Sequence, residues 1–303
     1  MDGNKKNAVI GLTKGYDFEI LRPFVETLRN TGYSGDIVFF HSDTDGKTLE
    51  RLKDFRVELI PFRVEFPYSE LPIPDHLKNN DRVKNLGIYC LRYLLAYMHL
   101  KKNYGKYGNV MLSDTRDVIF QKDPFDFYDG DLNYFLEREG VSIAESPVNA
   151  EWLAKGFGQE ALSKLGRNPI ICSGVTIGSS SGILGYLESF LDVIVSKDVP
   201  AHMRGMDQGI HNYLIHEKIV PGEMHKNSDG PVLTLGLEDD IMFRNGYIYN
   251  ASGNTPNVVH QYDRHWRIAR HFWSWRLIFR DYLSLWKARF RRIFGITKKN
   301  KHG

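Results

Sequence analysis

The chain has 303 residues, 42% of them hydrophobic and 25% charged, which excludes a disordered chain and supplies enough apolar material for a sizeable core. Only two cysteines occur, Cys90 and Cys172, which excludes a disulfide framework; their apolar neighbours mark both as buried thiols and fit a reducing, cytoplasmic compartment. The net charge of +3 hides an asymmetry: residues 264–303 carry twelve Lys or Arg against the single acid Asp281, and the remainder carries 28 against 36 acids.

The polar opening, Met1 to Asn7, has no apolar h-region, and the chain has no run of about 18 apolar residues. Neither a signal peptide nor a membrane-spanning helix is expected. Asn7–Thr13 (NAVIGLT) predicts a buried first strand, and apolar residues at Phe18, Leu21, Phe24, Val25 and Leu28 predict a helix over Tyr16–Asn30. Asp36–Phe40 and Val57–Pro61 predict two more strands, with a helix over Leu49–Phe55 between them. After a proline-bearing loop, Pro61 to Pro74, the spacing predicts a helix over Asn85–Lys101. The strand Gly108–Ser113 follows, and then a turn-rich acidic stretch, Phe125–Asp131. Ser142–Ser146 is expected as a strand, Ile170–Ser181 as a strand broken by Gly174 and Gly178, Leu184–Val195 and Met206–His216 as helices, and Asn257–His260 as a last short strand. Strands alternating with helices predict an α/β domain with a mainly parallel sheet covered on both faces.

The segment richest in chemistry is Val110–Phe125, VMLSDTRDVIFQKDPF. An apolar strand delivers Asp114 and Asp117 to its carboxyl end, where open α/β sheets bind their ligands. Carboxylate oxygens suit Mg²⁺ or Mn²⁺, whose remaining positions a diphosphate can fill. Such an ion neutralises a departing diphosphate.

This segment resembles the DxD region of GT-A glycosyltransferases, in which an aspartate pair after a strand grips the metal and the donor diphosphate. The spacing Asp114-Thr-Arg-Asp117 departs from the strict pattern, with Arg116 in the place of the second acid. Either Asp117 reaches the metal through a shifted turn, or Arg116 replaces part of the cation's charge. Three later segments follow in the family's order. Cys172-Ser-Gly-Val-Thr-Ile-Gly178 is similar to the strand on which small residues let the donor sugar approach the backbone, with Gly174 at the close approach. Gly205-Met-Asp-Gln-Gly209 resembles the helix start of the retaining galactosyltransferase and glycogenin type. There the Asp binds sugar hydroxyls and the Gln lies near the reacting carbon, which implies catalytic places for Asp207 and Gln208. Val258-Val-His-Gln-Tyr-Asp-Arg-His-Trp266 is similar to the late segment whose histidine completes the metal site, here His260 with His265 in reserve.

The resemblance implies a GT-A, Rossmann-like catalytic domain over residues 1–266, metal ligands Asp114, Asp117 and His260, and donor contacts at Thr13, Lys84, Asp114, Arg116 and Gly174. Arg82, beside Lys84, is a further candidate for diphosphate charge. It implies a metal-dependent transfer of sugar from a nucleotide-sugar to a glycan or lipid-linked acceptor, with retention suggested by Asp207-Gln208 and inversion left open if Asp207 serves as base. A sugar nucleotidyltransferase is the alternative on a related sheet, but it needs a glycine-rich basic loop after the first strand. Leu12-Thr-Lys-Gly-Tyr-Asp17 fits that poorly.

Residues 267–303 form a separate, basic and aromatic tail. Phe272, Trp275, Phe279, Tyr282, Trp286, Phe290 and Ile293 fall on one helical stripe, with Arg276, Arg280, Lys287 and Arg291 on another. Rings on one face and cations on another describe a helix lying in a membrane interface, so peripheral attachment is expected. The acidic body argues against nucleic acid as a partner. A non-enzymatic membrane-surface adaptor is the reading that remains if the body has no activity.

Overall fold

The computed structural model describes residues 5–62, 75–78, 80–127, 130–236 and 241–274. Most of the expected proline loop, and the tail beyond Ser274, lie outside the described residues. In chain order the elements begin with strand β1 (Lys6–Lys14), helix α1 (Phe18–Asn30), β2 (Asp36–Ser42), α2 (Gly46–Asp54) and β3 (Val57–Pro61). Two short helices, α3 (Asp75–Lys78) and α4 (Asp81–Lys84), precede the long α5 (Ile88–Lys102), β4 (Tyr107–Ser113) and β5 (Val118–Phe120). Then come β6 (Leu132–Ser142), α6 (Pro147–Leu165), β7 (Pro169–Ile171), β8 (Val175–Ser179), α7 (Ser180–Ser196) and α8 (Met206–His216). Short strands β9 (Glu223–His225), β10 (Val232–Thr234), β11 (Met242–Arg244), β12 (Tyr247–Tyr249) and β13 (Val258–His260) lead to α9 (Trp266–Phe272).

The main sheet runs β3-β2-β1-β4-β8-β6-β7, with β9 beside β6. Its β3-β2-β1-β4 half is parallel, and β8 and β6 then continue it antiparallel. The molecule is therefore the mixed, mainly parallel α/β fold that the strand–helix alternation predicts.

Period-two alternation explains why both faces are covered. On β2, Val38 and Phe40 point into one apolar layer, and Ile37 and Phe39 into the other. Helix α1 supplies Leu21, Phe24 and Leu28 to the second layer. Helices α5 and α7 supply Leu94, Tyr97, Leu187 and Phe190 to the first. Helix α1 starts where Asp17 accepts from the Ile20 amide at 3.2 Å, a cap worth about 1 kcal/mol.

Two expectations are corrected. Ser142–Ser146 is not a strand. Strand β6 ends at Ser142, whose amide donates to the Glu145 carboxylate at 2.8 Å, and the chain turns. Ser146 then caps α6 with Pro147 in its first turn, a start signal that the glycines Gly156 and Gly158 mask; at Gly158 the helix is kinked, with φ +84°. The single broken strand Ile170–Ser181 is two strands, β7 and β8, parted at Ser173-Gly174; Gly178 lies within β8 and breaks nothing. Cys90 and Cys172 are buried free thiols, as expected. No helix among the described residues is long and apolar enough to cross a membrane.

Strand β5, the three residues Val118–Phe120, is too short to show a periodicity in the sequence, and it decides the site. It pairs antiparallel with β13, and β13 pairs parallel with β10, making a second small sheet. The register sets His260 opposite Val118. A residue late in the chain is thereby returned to the acidic turn after β4.

Candidate metal centre

Strand β4 ends at Ser113, and the next amide, Asp114 N–H, donates to the Gly174 carbonyl at 2.8 Å. The acidic turn is thus tied to the turn between β7 and β8. On its other side the Thr115 hydroxyl donates to the Leu12 carbonyl of β1 at 2.8 Å. Asp117 is tied to the late segment, because the Gln261 amide donates to its carbonyl at 2.7 Å.

These ties bring together Asp114, Asp117 and His260, one ligand atom from each lying within 4.8 Å of the others. Nε2 of His260 is 3.4 Å from Oδ2 of Asp114 and 3.7 Å from Oδ1 of Asp117. Ligand atoms at right angles around Mg²⁺ are about 3 Å apart, so a small inward adjustment would suit one ion. Nε2 is buried and makes no hydrogen bond, as a ligand nitrogen facing an ion would. Two carboxylates and an imidazole form a hard-to-borderline set suited to Mn²⁺ or Mg²⁺. The residues present fit such an ion.

Glycine at 174 is required by close approach. A Cβ there would overlap Cε1 of His260 and crowd Oδ2 of Asp114. The ring and the carboxylate lie directly on the Gly174 backbone.

Beside this cluster lies a second one, centred on Arg92 of α5. Its guanidinium pairs with Oδ1 of Asp114 through Nη1, and its Nη2 meets Oδ2 of Asp207 at 2.8 Å and the Ser173 carbonyl at 3.1 Å. Asp114 therefore divides its two oxygens, one toward Arg92 and one toward His260 and Asp117. Gly205, with φ +79°, opens α8 and carries Asp207 into place; a Cβ there would overlap the Trp152 indole. Gln208 is saturated: its Oε1 accepts from Ser173 N–H at 2.8 Å, and its Nε2 donates to the Ile171 carbonyl at 2.9 Å and to Glu137 at 2.8 Å. A cleft lined by Gly11, Leu12, Arg92, Tyr93, Ser113 and Ser173 opens beside the pair, at the carboxyl ends of β1 and β4.

The electrostatics follow from this packing. Burial opposes the charge on Asp114, but Arg92 and His260 outweigh it and hold its carboxyl at about 2. Burial raises Asp117 to about 6, with Asp114 and Asp263 adding to the rise against His260. Burial likewise opposes a charged His260, yet Cys172, Asp117 and Asp114 reverse this and raise its pKa well above the ordinary imidazole value. Asp207 is raised by burial and Asp114, against the pull of Arg92. Two carboxylates near one imidazole thus hold a proton that a divalent ion would displace.

No protein-family model and no curated protein matches this chain.

The other expected site residues fall as follows. Thr13, one residue before the end of β1, is fully buried, and its hydroxyl makes no hydrogen bond. Arg116 turns to Asp263, 3.3 Å away, and stacks over Trp273 at 5.6 Å. Lys84 sits on the exposed α4, paired with Asp81 at 3.2 Å, and Arg82 pairs with Asp198. His265 lies outside the ligand cluster and opens α9, its carbonyl accepting from the Ile268 and Ala269 amides at 2.9 and 2.8 Å.

Two site residues were missed. Arg92 breaks the apolar run Tyr89–Tyr97, and a charge in the middle of a buried helix demands a partner, which is the signal that could have found it. Glu137 follows the apolar Tyr134-Phe-Leu136 on β6; one of its oxygens accepts from Gln208, and burial raises its pKa, with His260 and Arg264 pulling the other way.

Proposed function

We propose that this chain is a metal-dependent glycosyltransferase of GT-A type, moving a sugar from a nucleotide-sugar donor to a glycan or lipid-linked acceptor. The observation that carries the reading is the Asp114–Asp117–His260 cluster at the carboxyl end of a parallel sheet, with Asp207 linked to it through Arg92. Mn²⁺ or Mg²⁺ held by Asp114, Asp117 and His260 would supply positive charge for a departing nucleoside diphosphate. Arg92 adds a fixed cation beside the same place and orients Asp207, whose carboxylate would accept hydrogen bonds from sugar hydroxyls. Gln208 holds the Ser173–Gly174 turn through its Oε1 and the end of β7 through its Nε2, a positioning role.

Retention of configuration accords with this arrangement. Asp207 is engaged in its ion pair with Arg92, and transfer on the leaving-group face needs no strong base. The nucleotidyltransferase alternative gains nothing from the turn after β1, which offers Lys14 and Gly15 but no glycine-rich cradle.

The test is incubation with a panel of nucleotide-sugars and Mn²⁺, following slow donor hydrolysis. One donor should be cleaved, and the cleavage should vanish with EDTA and with Asp114→Ala. Absence of both cleavage and binding for every donor in the panel would sink the proposal. The basic aromatic tail supports peripheral attachment to an anionic membrane face as part of the same reading. Removing residues 275–303 should release the protein from phosphatidylserine vesicles and leave donor hydrolysis intact.

A further inference from the structure

Cys172 lies between β7 and the Ser173–Gly174 turn, buried, with its amide donating to the Phe135 carbonyl at 2.8 Å. Its Sγ is 3.3 Å from Nδ1 of His260, across 88 residues of sequence. Among the described residues this sulfur is the one hydrogen-bond partner of Nδ1. The opposite nitrogen, Nε2, points at Asp114 and Asp117 and has no hydrogen bond. The Gly174 backbone lies against Cε1, between the two nitrogens, and fixes the plane of the ring.

The ring therefore has two distinct edges. One faces a sulfur, and the other faces two carboxylates. A neutral imidazole has one N–H and one lone pair. If the thiol hydrogen points at Nδ1, then Nε2 carries the proton and repels a cation. If Nδ1–H points at the sulfur, the Nε2 lone pair faces the carboxylates and can take a metal. Histidine ligands commonly depend on an acceptor behind the ring for both orientation and tautomer.

We propose that Cys172 is the positioning residue of the metal centre, its sulfur accepting the Nδ1–H of His260 so that Nε2 is presented to the ion. The inference rests on the metal reading above. A thiol sulfur is a weaker acceptor than a carboxylate or carbonyl oxygen, so it tunes His260 less strongly than those groups would.

The experiment is Mn²⁺ titration of the full chain, followed by electron paramagnetic resonance, for wild type, Cys172→Ser and Cys172→Ala. Serine keeps an acceptor, and its affinity should stay within about threefold of wild type. Alanine removes the acceptor, and its affinity should fall about tenfold or more, with the melting temperature of the metal-free protein unchanged. Equal Mn²⁺ affinity for wild type and Cys172→Ala overturns the proposal while leaving the metal reading standing. Absence of Mn²⁺ binding by the wild type overturns both. A readout independent of any variant is the ¹⁵N spectrum of the histidines in the Mg²⁺-loaded wild type. His260 should carry its proton on Nδ1; a proton on Nε2 overturns the assignment.

Discussion

Arg92 and Asp207 stand 115 residues apart in the chain, and their side chains meet at 2.8 Å in a site where both are largely buried. The same guanidinium holds Asp114 on its other nitrogen. One cation thus joins helix α5 to the turn after β4, which carries Asp114, and to the start of α8, which carries Asp207. Removing the cation leaves Asp207 without its counter-charge and Asp114 with His260 alone. Breaking a buried pair in this way costs about 3–5 kcal/mol, so Arg92→Met should lower the denaturation midpoint strongly in urea titrations. Adding Asp207→Asn to Arg92→Met should restore part of the loss, because one uncompensated carboxylate is gone. Arg92→Lys keeps the charge but loses the fork. It should fold well and still lose most donor turnover, which separates the structural role from the positional one.

The protonation of the cluster gives a pH signature. Asp117 is raised to about 6 by burial, helped by Asp114 and Asp263 against His260. A raised carboxyl contributes stability that is complete below its unfolded pKa and is lost as pH rises through the folded value. His260 is raised too, Cys172, Asp117 and Asp114 overcoming burial, and its contribution is lost at still higher pH. Asp114, which Arg92 and His260 hold at about 2 against burial, contributes stability that is present above its unfolded pKa and lost only in acid, so it is constant over this range. The metal-free protein should therefore melt at lower temperature at pH 8 than at pH 5.5. Mn²⁺ competes with those protons, so its stabilising shift should grow over the same range. Differential scanning fluorimetry at four pH values, with and without Mn²⁺, is the check. A metal-induced shift that is flat with pH would contradict the cluster's proton inventory. Asp117→Asn should flatten it.

The main sheet was legible in the sequence because its strands are apolar runs punctuated by periodic helices. Residues 7–61 match the observed elements to within a few positions. The acidic turn and the strand end at His260 were legible for the same reason, each being a polar residue straight after an apolar run. What was hidden depended on partners far away in sequence. Strand β5 is three residues long, and without β13 beside it Val118–Phe120 has no periodicity to show. Helix α6 was obscured by two glycines, one at its kink. Arg92 gives little local signal of its role, since an arginine on a helix is ordinarily solvated. Only the packing of α5 against the sheet buries it. The Cys172–His260 contact could not be inferred from spacing, since β7 and β13 are brought together by separate sheets.

Two glycines should respond differently to alanine. At Gly205 the backbone has φ +79° and Trp152 occupies the space of a side chain. Both effects act on the folded state as a whole, and Gly205→Ala should cost about 1–3 kcal/mol of global stability. At Gly174 the obstacle is local, the His260 ring and the Asp114 carboxylate. Gly174→Ala should push those two apart and weaken Mn²⁺ binding by an order of magnitude or more, with a smaller loss in melting temperature. Equal global destabilisation by the two substitutions, with Mn²⁺ affinity intact in Gly174→Ala, would show that the ring does not depend on that backbone.

Asp207 and Asp114 both touch Arg92, but of the two only Asp114 belongs to the cluster that could hold an ion. Their isosteric amides should therefore divide the activity into its parts. Asp114→Asn removes a charged ligand, and both Mn²⁺ affinity and donor hydrolysis should fall together. Asp207→Asn leaves the three ligands in place. Mn²⁺ affinity should remain within a few-fold of wild type while donor hydrolysis drops about a hundredfold, the scale of losing one oriented group that acts at the transition state. Kinetics with saturating metal and a fixed donor make the distinction, because metal occupancy then no longer limits turnover. If Asp207→Asn turned over the donor at the wild-type rate, the carboxylate would be no more than the partner that keeps Arg92 charged and buried.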